Sequence, residues 1–309
     1  MEMRFTPPIL LLVCNRPDLT EQVFKTIRNV QPKRLYVAAD GPQDAVGGDI
    51  KLCEHTREVA TAVDWDCSLR TLFRDRNLGV RVAVSSAIDW FFEEEEEGII
   101  LEDDCVPSKS FYAYCAQLLA RYRNTPQVMA VSGVNFQFGA HKVPYSYYFS
   151  RYNHCWGWAG WRRSWKAYDD KMSEWPKARE AGTLERVLSH PRAARYWTET
   201  FDKAYRNEVD SWAYRWTLST WLAGGVAALP SVNLVSNIGF GEKATHTKGT
   251  SSLAFMKTEE LAFPLTHPPS ISVDEDADRR TFENCYRSSV WRRIKNKLTG
   301  ILKQHGVCR

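Results

Sequence analysis

Three adjacent carboxylates form the part of the sequence best suited to chemistry. Glu102, Asp103 and Asp104 follow an apolar run from Ile99 to Leu101, and Pro107 ends the segment. Such a run is typical of a buried strand in a parallel sheet, and ligands of these sheets bind beyond the carboxyl ends of the strands. Hard oxygen ligands suit Mg²⁺ or Mn²⁺, which take one or two protein carboxylates together with phosphate oxygens. The motif therefore predicts either a divalent-cation site or a solvated acidic turn.

Polar residues suited to a nucleoside diphosphate follow three earlier apolar segments. They are Asn15 and Arg16 after the first, Asp40 after the second, and Arg76, Asn77, Gly79 and Arg81 after the third. Arginine offers forked donors to phosphate oxygens, and a helix start such as that after Gly79 presents free backbone N–H groups to the same anion. Asp40 can accept a hydrogen bond from a base or a ribose; the alternative is that Asp40-Gly41-Pro42 is only a turn.

Strands and helices alternate between residues 9 and 105 and would bring these residues together. Strands are predicted at residues 9–14, 33–39, 68–73 and from 98, with amphipathic helices at about 18–29, 51–63 and 80–95. This order indicates a doubly wound sheet, in which the carboxyl ends of parallel strands meet at one edge. The sequence thus predicts an α/β, Rossmann-like fold. Its sheet is mixed and mostly parallel, with helices on both faces and one shared ligand site.

The second half of the chain begins with a stretch rich in aromatic residues. Residues 145–149 are interpreted as a strand, and the segment Gly157-Trp158-Ala159-Gly160-Trp161 as a tight loop lined by aromatic rings. Aromatic faces are a common platform for sugar rings, and core packing is the alternative use.

A further candidate for acid–base chemistry precedes a long apolar helix that begins at Trp212. Glu208 and Asp210 lie just before this helix, and Asp210 or Ser211 is expected to be its N-cap. A carboxylate at a helix N-terminus is ionised and held still, which is the physical requirement for a base that deprotonates a hydroxyl. Capping the helix is the structural alternative for Asp210, and Glu208 is the competing base.

Composition limits the class of protein. Hydrophobic residues make up 44% and charged residues 25% of the 309 residues, and the net charge of +4 is too small to predict a nucleic-acid partner. The eight cysteines show no C-x-x-C pair and no metal-finger spacing, which favours reduced thiols in a cytoplasmic protein. We expect neither a signal peptide nor a membrane-spanning helix, because no apolar run is long enough.

The ordered set of motifs resembles the nucleotide-sugar half of GT-A glycosyltransferases. The motifs are Val13-Cys14-Asn15-Arg16-Pro17, Asp40-Gly41, Arg76-Asn77-Leu78-Gly79 and Leu101-Glu102-Asp103-Asp104, and the resemblance covers roughly residues 8–246. It is nearest the N-acetylglucosaminyltransferase I-like branch and the bacterial family 2 enzymes. The resemblance implies a metal-dependent, inverting transfer of a sugar from a UDP-sugar to a hydroxyl of a surface glycan or glycolipid. UDP-GlcNAc is the favoured donor on this likeness alone.

The resemblance also implies roles for single residues. Asp104 would be the principal ligand of Mn²⁺ or Mg²⁺, with Glu102 and Asp103 in support, while Asp40 would hold the uracil end and Arg16 the pyrophosphate. Asp210 matches the base that deprotonates the acceptor hydroxyl. The remaining implied contacts are His246 to the metal or diphosphate, with a plain loop histidine as the alternative, and Trp158, Trp161 and Trp212 to the acceptor or the donor sugar.

The resemblance and the charge pattern together predict one GT-A domain and a basic tail. The domain would span residues 1–285, with a nucleotide half at about 8–135 and an acceptor half at about 136–285. Residues 286–309 form the tail, in which Val290 to Gln304 is patterned as a basic amphipathic helix. Such a helix can lie on anionic lipid, which would place the protein peripherally on the inner face of a bacterial cell membrane; docking on the protein's own core is the alternative.

Two other function classes compete with a glycosyltransferase. A sugar nucleotidyltransferase would share the sheet and the sugar nucleotide, but it needs a Gly-rich loop with Arg and Lys after the first strand, where this chain has Cys14-Asn15-Arg16-Pro17. A non-enzymatic carbohydrate-binding or assembly protein would explain the aromatic residues and the basic tail. It would leave the ligand-type residues at four strand ends unexplained.

Overall fold

The computed structural model describes residues 6–43, 48–240 and 253–287. The strands are β1 (Ile9–Val13), β2 (Arg34–Ala39), β3 (Ser68–Phe73), β4 (Glu97–Glu102), β5 (Cys105–Pro107), β6 (Val128–Ser132), β7 (Tyr147–Ser150), β8 (Trp158–Trp161), β9 (Val226–Pro230) and β10 (Val235–Asn237). The helices are α1 (Pro17–Val30), α2 (Gly48–Ala60), α3 (Val80–Glu94), α4 (Lys109–Tyr122), α5 (Arg162–Trp165), α6 (Trp175–Glu180), α7 (Thr183–Val187), α8 (Pro191–Tyr205), α9 (Trp212–Leu222) and α10 (Glu275–Thr281), followed by a π-helical segment at Phe282–Arg287.

Most of the described strands belong to one mixed sheet in the order β3-β2-β1-β4-β8-β6-β9-β7. Strands β1 to β4 are mutually parallel where they pair, and β6 is parallel to β9. Strand β8 runs antiparallel between β4 and β6, and β7 runs antiparallel to β9. The predicted α/β class, with a mixed and mostly parallel Rossmann-like sheet, is confirmed.

Helices cover both faces of the sheet, because successive side chains of each buried strand point to opposite faces. On one face Leu11 belongs to a core shared with α1, α2 and α4. On the other face Leu10 and Leu12 belong to a core shared with α3, α5 and α9. A third apolar cluster joins α6, α7 and α8 to the outer side of α9, where the rings of Trp197 and Trp221 lie 5.1 Å apart.

The first helix begins earlier than its sequence indicates. Helix α1 starts at Pro17, one residue before the predicted start at about residue 18, with Arg16 as its N-cap residue and no side-chain cap. Proline is favoured in the first turn because its missing N–H would have no helical partner in any case. The start at Pro17 keeps Arg16 at the end of β1, where its side chain faces the acidic motif.

The predicted aromatic loop at residues 157–161 is wrong, because Trp158–Trp161 is the strand β8 in the middle of the sheet. Trp158 and Trp161 are 1% and 2% exposed and lie in the cores on opposite faces. A Cβ atom at Gly160 would lie 2.9 Å from Cζ3 of Trp158, so the indole occupies the space that a side chain at Gly160 would need. A short run of Gly and Trp is as compatible with a loop as with a strand. Pairing with the neighbouring strands is what makes this segment a strand.

A small second sheet begins directly after the acidic motif. Strand β5 pairs antiparallel with β10, and Cys105 lies opposite Asn237 in this pairing. The pairing carries residues 237–240 to the edge of the main sheet, about 130 positions along the chain from the carboxylates they meet.

Two predicted features lie outside the described residues. They are His246 and the basic amphipathic helix over Val290 to Gln304. Within the described ranges, no helix combines the length and the apolar composition needed to cross a bilayer.

Candidate functional site

A cleft of about 740 Å³ opens at the carboxyl ends of β1, β2 and β4. Most of the residues that the sequence singles out line this cleft, namely Asn15, Arg16, Asp40, Asn77, Gly79, Glu102, Asp103, Asp104 and Asp210. The cleft also has an apolar wall between the sheet and α3, formed by small and medium side chains such as Leu12, Ala38 and Ala83. Charged groups and an apolar wall thus occur in one concave site, as is usual for a ligand pocket.

Arg16 joins two of the three carboxylates of the acidic motif. Its Nε lies 3.2 Å from Oδ2 of Asp103, its Nη2 donates to Oδ1 of Asp103, and its Nη1 lies 3.0 Å from Oδ2 of Asp104. Burial lowers the pKa of Arg16, but the charges of Asp103 and Asp104 outweigh this effect and raise it overall, so the guanidinium stays charged.

The acidic motif holds more negative than positive charge. Burial, together with the charges of Asp104 and Asp103, raises the pKa of Glu102 to about 8. Burial also raises the pKa of Asp103 to about 6, although the charge and hydrogen bond of Arg16 and a hydrogen bond from the Cys14 backbone oppose the rise. Within the described part of the chain, no hydrogen-bond donor reaches the carboxyl group of Glu102, so a further cation would find an unfilled acceptor there.

The backbone that follows β10 is folded closely around Asp104. The Nδ2 of Asn237 lies 3.1 Å from Oδ1 of Asp104, and the N–H of Ile238 donates to the Asp104 carbonyl at 2.8 Å. A Cβ atom at Gly239 would overlap the Asp104 carboxylate, so this position requires a glycine. Sequence reasoning missed Asn237 and Gly239, and their only signal is the glycine-containing run that follows a short strand.

Binding of a metal ion by the acidic motif stays a prediction. Among the residues that the structure describes, no three His, Cys, Asp or Glu side chains are grouped as a metal site. The donor chemistry nevertheless fits a divalent cation, because Asp104 faces the cleft and Mg²⁺ or Mn²⁺ is commonly held by one or two carboxylates with phosphate oxygens completing the shell.

Asp40 holds together two of the loops at the cleft edge. Its Oδ1 accepts the backbone N–H groups of Gly41 and Leu78, each at 2.9 Å. Asn77 adds a bond from its Nδ2 to the Gly41 carbonyl at 3.0 Å. The turn at Asp40-Gly41-Pro42, which is the alternative interpretation of this segment, is therefore present. Asp40 still lines the cleft, so contact with a ribose or a base remains a prediction.

Two of the residues predicted to contact the nucleotide are paired with protein side chains, and a third lies outside the cleft. Asn15 donates through Nδ2 to Oδ1 of Asp49 at 2.6 Å. Arg81 is paired with Asp170 and Asp210. Arg76 does not line the cleft but borders a separate depression beside it. The cation that does line the cleft from this region is Arg74, which sequence reasoning missed although it directly follows β3.

Asp210 lines the cleft next to Gly79. Ser211, not Asp210, caps α9, because its hydroxyl accepts the N–H of Tyr214 at 3.4 Å. Gly79 has φ of +79°, and a Cβ atom there would lie 3.0 Å from Oδ2 of Asp210. The competing base, Glu208, does not line the cleft, and its Oε1 accepts from Nε of Arg206 at 2.5 Å.

The three tryptophans predicted to contact a sugar are core residues. Trp158, Trp161 and Trp212 are at most 3% exposed, and the ring of Trp158 lies 6.3 Å from that of Trp212 in a stacked arrangement. Their predicted contact with the acceptor or the donor sugar is therefore wrong. The aromatic residues that line the cleft are Trp156 and Phe240, whose rings meet edge to face at 5.6 Å.

Comparison with known proteins finds only distant similarities. No protein-family profile and no curated protein sequence matches this chain. Among solved structures, the chain is similar to HddC from Yersinia pseudotuberculosis, with 9% identity, a TM-score of 0.28 and coverage of 40% of this chain and 58% of that chain. It is also similar to 4-diphosphocytidyl-2C-methyl-D-erythritol synthase from Anaerococcus prevotii DSM 20548, with 8% identity, a TM-score of 0.35 and coverage of 54% and 77%. Similarities this distant carry no argument about activity.

Proposed function

We propose that this protein is a glycosyltransferase that takes a sugar from a UDP-sugar in the presence of Mn²⁺ or Mg²⁺ and inverts the anomeric centre. The observation that carries the proposal is the placement of Asp210 and the acidic motif in one cleft, on separate elements of the fold. Glycosyl transfer needs cationic stabilisation of the leaving diphosphate on one side of the sugar and a base on the other side. Residues suited to both tasks line the cleft, and this supports the proposal.

The donor side of the proposed reaction is formed by the ends of β1, β2 and β4. The apolar wall with Leu12 and Ala38 suits the flat face of a nucleobase, and Asp40 is placed to accept from the base or the ribose. Arg16 retains N–H groups beyond those that bind Asp103 and Asp104, and it can direct them at the diphosphate. A bound cation, held by Asp104, would supply Lewis-acid stabilisation of the leaving group.

The acceptor side is assigned to Asp210. Its carboxylate takes the proton of the acceptor hydroxyl as the hydroxyl oxygen forms the new bond to the anomeric carbon. The bond between that carbon and the diphosphate oxygen breaks, and the diphosphate leaves with the electron pair. Trp156 and Phe240 are the aromatic side chains placed to contact a sugar ring in this site.

The proposal extends to a surface glycan or glycolipid acceptor and to UDP-GlcNAc as the donor. These finer assignments rest on the family resemblance. Peripheral contact with the inner face of the cell membrane rests on the same resemblance and on the basic segment after residue 286.

A sugar nucleotidyltransferase is the main competing function. Such an enzyme must hold a triphosphate, for which backbone N–H groups of a glycine-rich loop are the usual means. In this chain α1 begins with Pro17, which has no N–H to offer a phosphate at the start of the helix. This fact favours a diphosphate-bound donor over a triphosphate.

The deciding experiment measures product release from the full chain. We expect UDP release from a UDP-sugar panel with water as the acceptor, dependent on Mn²⁺ and abolished by EDTA. Asp104→Asn should weaken Mn²⁺-dependent UDP binding by at least about tenfold, as loss of a metal ligand does. Asp210→Asn should keep UDP binding and lose turnover.

Pyrophosphate release from UTP and a sugar 1-phosphate, without turnover of any UDP-sugar, would instead establish the nucleotidyltransferase. UDP binding that is undiminished by EDTA would contradict the role of the cation. Glycan binding without either activity would point to a carbohydrate-binding protein.

A further inference from the structure

The carboxylate of Asp210 depends on a neighbouring side chain for its orientation. Its side chain is 54% exposed, and α9 does not hold it, because Ser211 fills the capping position. An exposed aspartate that caps nothing would sample several rotamers, and a general base must instead be kept within hydrogen-bond reach of the proton that it removes.

Arg81 supplies the constraint. It lies in the first turn of α3, its Nε is 3.3 Å from Oδ1 of Asp210, and its Nη1 donates to Oδ2 of Asp170. The guanidinium is thus held between two carboxylates on different segments of the chain. Nη1 is hydrogen-bonded to Asp170 and Nε makes an ion-pair contact with Asp210, so one guanidinium spans two carboxylates, which the smaller ammonium group of a lysine would not reproduce.

Arg215 fixes the backbone that carries both of these carboxylates. It is 1% exposed, its Nε donates to the Asp170 carbonyl at 2.8 Å, and its Nη1 donates to the Ser211 carbonyl at 2.9 Å. Its Nη2 donates to the Ala204 carbonyl at the end of α8 and to Oδ1 of Asn207. One buried guanidinium therefore ties the Asp170 loop to the segment that leads into α9.

The other oxygen of Asp210 is left available. Oδ2 lies beside Gly79, where the absence of a side chain leaves room for it, and no hydrogen-bond donor from the described residues reaches it. Asp210 lines the cleft in this arrangement. One carboxylate oxygen is thus paired with Arg81, and the other is free to accept a proton.

We infer that Arg81 is a positioning residue. It holds Oδ1 of Asp210 so that Oδ2 faces the cleft, and it is itself held by Asp170, whose backbone Arg215 secures. This inference rests on the proposed function, in which Asp210 is the base. It assigns Arg81 a role different from the phosphate contact that the sequence predicts.

The test compares Arg81→Met, Arg81→Lys and Asp170→Asn with a matched control. Arg70→Met is the control, because Arg70 also pairs with a carboxylate, that of Glu94, but lies away from the cleft. UDP release from the UDP-sugar panel with water as the acceptor gives kcat and KM, and UDP titration gives Kd. Thermal unfolding verifies that each variant is folded.

We expect Arg81→Met to lower kcat by about 10- to 100-fold, the usual effect of a misplaced catalytic group, with KM and the Kd of UDP changed less than about twofold. Arg81→Lys should recover part of kcat, and Asp170→Asn should lower it less than Arg81→Met does. The residual turnover of Asp210→Asn, measured at high enzyme concentration, should not fall further when Arg81→Met is added, because the two residues act as one unit.

Three results would overturn the inference alone, and two others would contradict the proposed function on which it rests. Unchanged kcat in Arg81→Met, with Asp210→Asn inactive, would remove the positioning role and keep the base. A raised Kd for UDP with unchanged kcat would return Arg81 to a phosphate contact. An equal loss from Arg81→Met in the Asp210→Asn background would show that Arg81 acts independently of Asp210. Full activity of Asp210→Asn, or no turnover of any UDP-sugar by the wild type, would contradict the proposed function itself.

Discussion

Nη1 of Arg16 lies 3.0 Å from Oδ2 of Asp104, so the residue expected to bind pyrophosphate is an ion-pair partner of the residue expected to bind the metal. The same guanidinium also binds Asp103, which is almost fully buried. This pairing lets three consecutive carboxylates remain at one strand end, because it neutralises part of a charge that would otherwise oppose folding.

Removal of Arg16 is expected to destabilise the fold. Arg16→Met leaves Asp103 buried without its cation, and breaking a buried pair in this way costs about 3 kcal/mol of unfolding free energy. Urea denaturation measures the loss. Lys33→Met is the matched control, because the Lys33–Asp66 pair is almost fully exposed and such pairs contribute little to stability. Equal losses in the two variants would contradict the central role of Arg16.

Gly79→Ala is expected to lower both stability and turnover. The backbone at Gly79 has φ of +79° and ψ of 154°, a conformation close to glycine-only, and an added methyl group would press on Oδ2 of Asp210. We expect a loss of about 1–3 kcal/mol in unfolding free energy and a reduced kcat. Gly139→Ala is the control, since φ there is +72° but nothing lies within 4 Å of the added atom. It should lose stability while kcat stays at the wild-type value.

The raised pKa of Glu102 predicts a stability that falls with rising pH in metal-free protein. The folded state holds a proton on Glu102 up to about pH 8, whereas the unfolded chain releases it near its ordinary value of 4.5. Between these pH values the folded state binds more protons, so its stability decreases as the pH rises. Glu102→Gln removes this contribution. The urea midpoints of the variant and the wild type, measured with EDTA at pH 5, 6.5 and 8, should therefore diverge in favour of the variant. Parallel profiles would show that Glu102 ionises normally.

Trp156 and Trp158 are expected to respond differently to substitution although they are two positions apart. Trp156→Ala should raise KM for the UDP-sugar or the acceptor by about two- to tenfold, the range of a lost aromatic contact. Trp158→Phe should instead cost about 2 kcal/mol of unfolding free energy and leave KM unchanged, because Trp158 is packed among Trp165, Trp212 and Trp216. A KM effect from Trp158→Phe alone would place the sugar contact in the core.

Local pattern was enough to predict the α/β class, the first four parallel strands and the residues that follow their carboxyl ends. The apolar runs at β1, β2 and β4 and the amphipathic periods of α1 to α3 are properties of short segments, so they can be recognised without knowing any distant contact. The convergence of Asn15, Arg16, Asp40 and the acidic motif in one cleft follows from the common direction of those strands.

Tertiary structure alone decided which residue each of these groups contacts. Trp158 and Trp161 are core residues because β8 inserts between β4 and β6, and Asn237 reaches Asp104 because β10 pairs with β5. The sequence named Arg81 and Asp210 but not their pairing, which depends on how α3 and the segment before α9 pack together. Segment composition carries no information about which distant segment lies alongside it. That choice is made when the strands and helices assemble, and it determines which charges are paired, which rings are buried and which carboxylate oxygen is left free.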